Sequence, residues 1–239
     1  MKNLSQVTAA ILAGGLGTRI RPVIGERQKI LAAVEGRPFV TFLLDQLAAV
    51  RVKRVVLCTG YLGEQVRETL GEVYSSMDLV YSQEPSPLGT GGALCQALPF
   101  LNTETVLAMN GDSFCETNLE ALYAVHRLRG AKATILLQEV LDPGRFGRVQ
   151  TDEVGAIIGF DEKGCSSGPG WINGGIYFLA HSFLEAIPQG EKISLEQDIF
   201  PAWIGRGFFG FRSHGRFLDM GTPESYATAD LFFNQENLL

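Results

Sequence analysis

Three glycines, a threonine and an arginine stand together in Ala13-Gly14-Gly15-Leu16-Gly17-Thr18-Arg19, directly after the apolar run Val7-Thr8-Ala9-Ala10-Ile11-Leu12. Glycine accepts positive φ and lets backbone N–H groups approach an anion closely, while a guanidinium can fork onto phosphate oxygens. Arg19, Arg21, Arg27 and Lys29 gather in the same stretch of a chain whose formal net charge is −6. The chemistry this pattern suits is the binding of a phosphorylated ligand at one place in an otherwise acidic molecule. Taken singly, the glycines also read as a plain turn and the cations as a solvated face. The spacing fits neither G-x-G-x-x-G nor G-x-x-x-x-G-K-[ST], which disfavours a dinucleotide fold and a Walker loop. Asp112, in Asn110-Gly111-Asp112, follows a second apolar run, where a carboxylate serves equally as a turn cap or a metal ligand.

The elements that must position these groups follow from periodicity. Short apolar runs over Val7–Leu12, Arg54–Thr59, Leu79–Ser82, Val106–Asn110 and Ala133–Gln138 read as strands. Phe39, Phe42, Leu43, Leu47 and Val50 make one apolar helical face between the first two, and Leu62–Leu70 offers a weaker helix. That alternation predicts an α/β fold: a Rossmann-like, mixed and mainly parallel sheet flanked by helices. A glycine loop after the first strand then falls at the carboxyl edge, where open α/β sheets bind ligands. In the second half, Gly147–Thr151, Ile157–Phe160 and Gly174–Leu179 read as short strands that add antiparallel pairs. Helices are expected near Ser182–Ala186, Leu195–Trp203 and Pro223–Asn234. Gly164–Gly170 is a glycine- and serine-rich loop, either a lid or a connector.

At 239 residues, with 46% hydrophobic residues, the chain has the length and composition of a single large domain that needs no disulfide or structural metal to fold. The acidic balance argues against nucleic acid or anionic lipid as partners, since both require a basic excess. Cys58, Cys95, Cys115 and Cys165 are dispersed, without a C-x-x-C pair, and His126, His181 and His214 do not group near them, so a zinc site is not expected. No apolar run reaches the roughly 18 to 20 residues of a membrane span. The polar start before Val7 is unlike a signal peptide, and a cytoplasmic location is the expectation.

Taken together, five ordered blocks resemble the sugar-1-phosphate nucleotidyltransferase family, whose fold is the nucleotidyltransferase or GT-A-like arrangement. They are Leu12–Arg19 with Lys29; Leu88-Gly89-Thr90-Gly91-Gly92-Ala93; Asn110-Gly111-Asp112; Phe160-Asp161-Glu162-Lys163 with Asn173-Gly174-Gly175-Ile176-Tyr177; and Asp219-Met220-Gly221-Thr222-Pro223. The resemblance spans about residues 7–226, nearly the whole chain. It implies a nucleotide-binding half over about 7–145 and a sugar-binding half over about 146–226.

The resemblance also implies roles. Leu12, Ala13, Gly14, Gly15, Gly17, Thr18, Gly89, Thr90 and Asn110 would hold the nucleotide. Arg19 would meet the departing pyrophosphate and Lys29 the α-phosphate, as the catalytic pair. Gly147, Glu162, Lys163 and Asn173 would hold the sugar phosphate, and Asp112 and Asp219 one Mg²⁺. The partners implied are a nucleoside triphosphate and a sugar 1-phosphate, with a homodimer among the possible assemblies. Both substrates are polyanions, so neutralisation by cations dominates the chemistry; an ionised phosphate oxygen needs no general base.

Glu84 stands where guanylyltransferases of this family carry an acidic residue, and a carboxylate can accept both N1–H and N2–H of guanine. Gln83 beside it suits uracil or thymine, so thymidylyl, uridylyl and cytidylyl transfer remain alternatives. Within the family, the guanylyltransferases that act on D-glycero-D-manno-heptose 1-phosphate are the nearest resemblance, with mannose 1-phosphate as the alternative acceptor. A regulatory subunit that binds nucleotide sugar without turnover is the alternative outside enzymology. The Asp-x-Asp motif wanted by a nucleotide-sugar glycosyltransferase is missing at Asn110-Gly111-Asp112. Gln28, Ala33 and Gly164 replace prolines of the family pattern, and the first two are expected to loosen the loop that carries Lys29.

Overall fold

The computed structural model describes residues 4–162, 164 and 168–234. Its centre is an eight-stranded sheet in the spatial order Phe208–Ser213, Ala133–Val140, Gly170–Ala180, Thr105–Asn110, Thr8–Ala13, Arg54–Thr59, Met77–Gln83 and Val73–Tyr74. Four neighbours, from Thr105–Asn110 to Met77–Gln83, run parallel. Gly170–Ala180 lies antiparallel between two strands, and Val73–Tyr74 is an antiparallel edge.

The sheet is mixed and mainly parallel, as the sequence predicts, and alternation along each strand explains its two covered faces. Ala9, Ile11, Val55, Leu57, Leu107 and Met109 point to one core, which takes in Phe42, Leu43 and Leu47 from the Val40–Ala49 helix. Ala10, Val56, Cys58, Val106 and Ala108 point to the other, packed by Ala93, Leu94 and Ala97 from the Gly89–Ala97 helix. Burial desolvates the thiols of Cys58 and Cys115 and pushes both up to about 12, so neither supplies a thiolate nucleophile.

Three elements depart from the periodicity reading. The helix Leu119–Leu128, capped by the Asn118 side chain accepting from Ala121 N–H, was not predicted at all. The strand expected over Gly174–Leu179 runs from Gly170 to Ala180, with a register shift between Asn173 and Tyr177 that two glycines accommodate. The C-terminal helix breaks at Thr228, whose hydroxyl bonds back to Ser225 O and leaves the separate pieces Pro223–Ala227 and Ala229–Phe233. The aromatic run at Phe208, Phe209 and Phe211 is the end strand of the sheet, with Phe208 buried.

Parallel strands bring their carboxyl ends to one rim. Leu12 is in register with Asn110, Ala13 with Thr59, and Thr59 with Gln83. The glycine loop, Glu84 and Gly111-Asp112 therefore leave the sheet side by side.

Candidate active site

At that rim lies a cleft of about 300 Å³, lined by Leu12, Ala13, Gly14, Gly15, Lys29, Glu84, Gly89, Thr90, Asn110 and Asp112 among others. Ten residues named from the sequence thus face one cavity. Gly17 packs over the stem of Lys29, where a Cβ would come within 3.3 Å of the lysine Cβ, and its φ of +60° favours glycine. Thr18 and Arg19 continue the same loop, exposed, with Arg19 in no ion pair among the described residues.

Lys29 is only 8% exposed, and its Nζ lies 2.7 Å from Asp112 Oδ2. Desolvating an ammonium is costly unless a carboxylate compensates it, and Asp112, itself partly exposed, is the carboxylate paired with this buried cation. Asp219 comes to the same rim by another route. A two-stranded ribbon pairs it with Ser113, and Met220 N–H donates to Asp112 O at 2.8 Å. Its Oδ1 accepts from Gly221 N–H and its Oδ2 sits 3.2 Å from Arg145.

Among the described residues no group of three or more His, Cys, Asp or Glu could hold a metal on protein ligands alone. Two carboxylates on segments joined by the Met220 N–H to Asp112 O bond suit a Mg²⁺ site in kind nonetheless, because Mg²⁺ keeps several waters and completes its shell with substrate phosphates. Asp112 and Asp219 are the residues that would hold it.

The residues expected to bind sugar lie beyond this cleft. Gly147, with φ +83°, donates to Pro143 O, in the loop whose Arg145 reaches Asp219. Glu162 is exposed beside it, and Lys163 falls outside the described residues. Asn173 donates to the Tyr177 hydroxyl at 2.9 Å and accepts from Gly175 N–H. The Tyr177 hydroxyl also donates to Asn110 Oδ1 at 3.5 Å, which links Asn173 to a residue that lines the cleft.

Three groups escaped sequence reasoning. Glu196, on the π-helical turn Leu195–Ile199, accepts from Thr90 Oγ1 at 2.8 Å and from the Tyr177 hydroxyl at 3.2 Å, joining the Gly89–Ala97 helix to the Gly170–Ala180 strand. Burial, and next the charge of Glu196, raise the Tyr177 phenol well above its usual range, so it stays a donor. Lys192 also lines the cleft. It is held there because Ile193 O accepts from both Gly91 N–H and Gly92 N–H. A Cβ at Gly89 would lie 2.5 Å from Ile193 O, and one at Gly92 2.8 Å from Glu191 O. The glycines of Gly89-Thr90-Gly91-Gly92 thus serve to dock this segment, a contact no local pattern announces. The third group, Gln28, corrects an expectation. Its side chain is 2% exposed, accepts from Ile30 N–H at 2.6 Å and donates to Ala13 O, so the loop is stitched rather than loosened. Ala33, for its part, pairs with Pro38 and accepts from Tyr226 Oη, so it is equally fixed.

Glu84 is buried, with Oε2 accepting from Leu88 N–H at 2.6 Å and Oε1 where a Cβ on Gly14 would collide with it. Desolvation raises its carboxyl above the usual range, opposed in part by the Leu88 bond. The charged form is the disfavoured one, so the folded chain holds this proton more tightly than the unfolded chain. Glu84 therefore costs stability as pH rises through its raised pKa, and Glu84→Gln should melt higher than the wild type at neutral pH. As pH falls through the same window the gap between variant and wild type should close; thermal melting across the acid range checks this, and parallel profiles would refute it.

A phosphate-suited cleft at the carboxyl rim of a mainly parallel sheet, with a buried lysine and two carboxylates, defines a nucleotide-handling α/β protein. The chain belongs to the nucleotidyl transferase family, whose model matches residues 8–236. The mannose-1-phosphate guanylyltransferase of Mycobacterium tuberculosis is 35% identical over 95% of this chain, which spans 65% of that enzyme's length. The D-glycero-alpha-D-manno-heptose 1-phosphate guanylyltransferase of Aneurinibacillus thermoaerophilus is also 35% identical, over 92% of this chain and 96% of its own. Among solved structures, HddC from Yersinia pseudotuberculosis complexed with GMP-PN superposes with a TM-score of 0.83 at 30% identity, covering 95% of this chain and 99% of that one. A Bacillus anthracis structure at 22% identity superposes with a TM-score of 0.86 over 98% of this chain and 97% of its own, a likeness of fold. Among the described residues no helix is long and apolar enough to cross a membrane.

Proposed function

We propose that this protein transfers GMP from GTP to a sugar 1-phosphate, releasing pyrophosphate, and that D-glycero-D-manno-heptose 1-phosphate is the acceptor. The observation that carries the reading is the Lys29–Asp112 pair set against the glycine loop in one cleft. Relatives named for guanylyl transfer to heptose or mannose 1-phosphate support both donor and acceptor class, and a relative matched along 96% of its length is named for the heptose.

In the reaction a phosphate oxygen of the sugar attacks the α-phosphorus, a new P–O bond forms, and the bond to the β-phosphate breaks as pyrophosphate leaves. Arg19, exposed on the glycine loop, meets the leaving pyrophosphate, and Lys29 balances charge at the α-phosphate. Gly14, Gly15 and Gly17 allow backbone N–H groups close to the phosphates. Glu84 offers its carboxylate to N1–H and N2–H of guanine, with Gly89 and Thr90 along the same wall. Gly147, Glu162, Lys163 and Asn173 take the sugar phosphate, so residues of about 7–145 serve the nucleotide and those of about 146–226 the sugar. Asp112 and Asp219 would hold Mg²⁺, which would supply positive charge against that developing on the phosphates.

Pyrophosphate release measured with each of four nucleoside triphosphates against heptose, mannose and glucose 1-phosphates tests the proposal. GTP with the heptose should give the highest kcat/KM. Preference for a pyrimidine nucleotide would contradict the role of Glu84, and absence of release with every pair would favour a binding subunit.

A further inference from the structure

The structure assigns to Gln28 the positioning of Lys29: its buried amide ties the first carbonyl of the glycine loop to the amide just after the lysine, so that loop and lysine keep one relative geometry. Resting on the reading that Lys29 acts on phosphate, the inference names what holds that ammonium on target.

Lys29 begins a single 3₁₀ turn, Lys29–Leu31, too short to be rigid on its own account. Three contacts fix it. Gln28 Oε1 accepts from Ile30 N–H at 2.6 Å, which caps the turn; Gln28 Nε2 donates to Ala13 O, at the end of the first strand. Gln28 N–H donates in turn to Gln65 Oε1 at 3.0 Å, and Gln65 Nε2 reaches Glu26 O at 3.2 Å. Gln65 stands on the helix Gly63–Leu70, so two structural elements converge on this one residue. A glutamine 2% exposed with its amide donor and acceptor both used is geometrically determined, and removing the amide takes this partner from Ala13 O and from Ile30 N–H. Gln28 itself lies along the cleft, but its amide is spent on these two backbone partners, so it acts through Lys29.

Gln28→Met keeps the volume of the side chain and removes both bonds. Steady-state pyrophosphate release should show kcat lowered about tenfold with KM for GTP within about threefold, the signature of a misplaced group rather than a lost contact. The same change made in a Lys29→Ala background should cost less than about twofold, because residues acting as a unit are non-additive. Gln65→Ala, at a partly exposed site that tolerates truncation, should move kcat in the same direction by about threefold. Hydrogen exchange gives a readout independent of turnover: the Ile30 amide should lose protection in Gln28→Met while the sheet amides keep theirs. Equal fold-losses in both lysine backgrounds, or an effect confined to KM or melting temperature, would overturn the positioning role, and so would an unchanged Ile30 amide. Absence of turnover in the wild type would instead strike the functional reading, with the exchange result still deciding whether Gln28 makes the stitch.

Discussion

Replacing Asp112 by alanine should lower pyrophosphate release by about 10³-fold or more, because the change removes one of two carboxylates available for a divalent cation. Asp112 also neutralises a lysine that is 8% exposed, so loss of activity could follow from misplacement of Lys29 alone. Asp112→Asn separates the two causes. The amide keeps the shape and can still accept from Lys29 Nζ, but it is a poor Mg²⁺ ligand. If the cation role governs, the asparagine variant should be nearly as inactive as the alanine variant and should recover part of its rate at high Mn²⁺. Asp112 is itself partly exposed and its pair with Lys29 is therefore screened, so the melting temperature of either variant should fall modestly. Near-normal turnover in Asp112→Ala would refute the assignment.

Lys29→Met should be the next most damaging change, with kcat down by about 10² to 10³-fold. Methionine fills the volume of the stem under Gly17 without the charge, so the cleft keeps its shape. The loss should fall on kcat more than on the KM for GTP, since Arg19 and the loop amides still gather the triphosphate. Removing the ammonium also leaves Asp112 without its cation, and affinity for Mg²⁺ in the absence of nucleotide should rise if anything. A variant whose KM climbs while kcat holds would place Lys29 in ground-state binding only.

The glycine loop was legible because its parts are consecutive: an apolar run, then glycines, then a cation, all local signals. The parallel sheet was legible for the same reason, since each strand carries its own apolar period. Lys29 and Asp112, 83 residues apart, were assigned to one site by family resemblance, not by spacing; their ion pair is a contact the sequence did not announce. What stayed hidden depends on segments that meet only after folding. Glu196 means nothing in sequence until Thr90 and Tyr177 face it from a helix and a strand. The glycines at 89, 91 and 92 read as a nucleotide-contacting segment, and their missing side chains also admit the Glu191–Ile193 segment, which no local pattern shows. Gln28 read as a defect because a proline's stiffness is local while a glutamine's is supplied by partners at Ala13 and Gln65. The Leu119–Leu128 helix was missed although Leu119, Leu122, Tyr123 and His126 fall at helical spacing and its Asn118 cap is local.

Everything turns on cations and carboxylates meeting a polyanion at one rim of the sheet. Backbone resonances recorded with Mn²⁺ and a non-hydrolysable GTP analogue would test that most directly, since a bound paramagnetic ion broadens amides within its reach. Broadening should centre on Gly15, Gly17, Asp112 and Gly221 and should vanish in Asp112→Ala. Broadening centred instead on the opposite rim, around Glu104 and Lys132, would contradict the account.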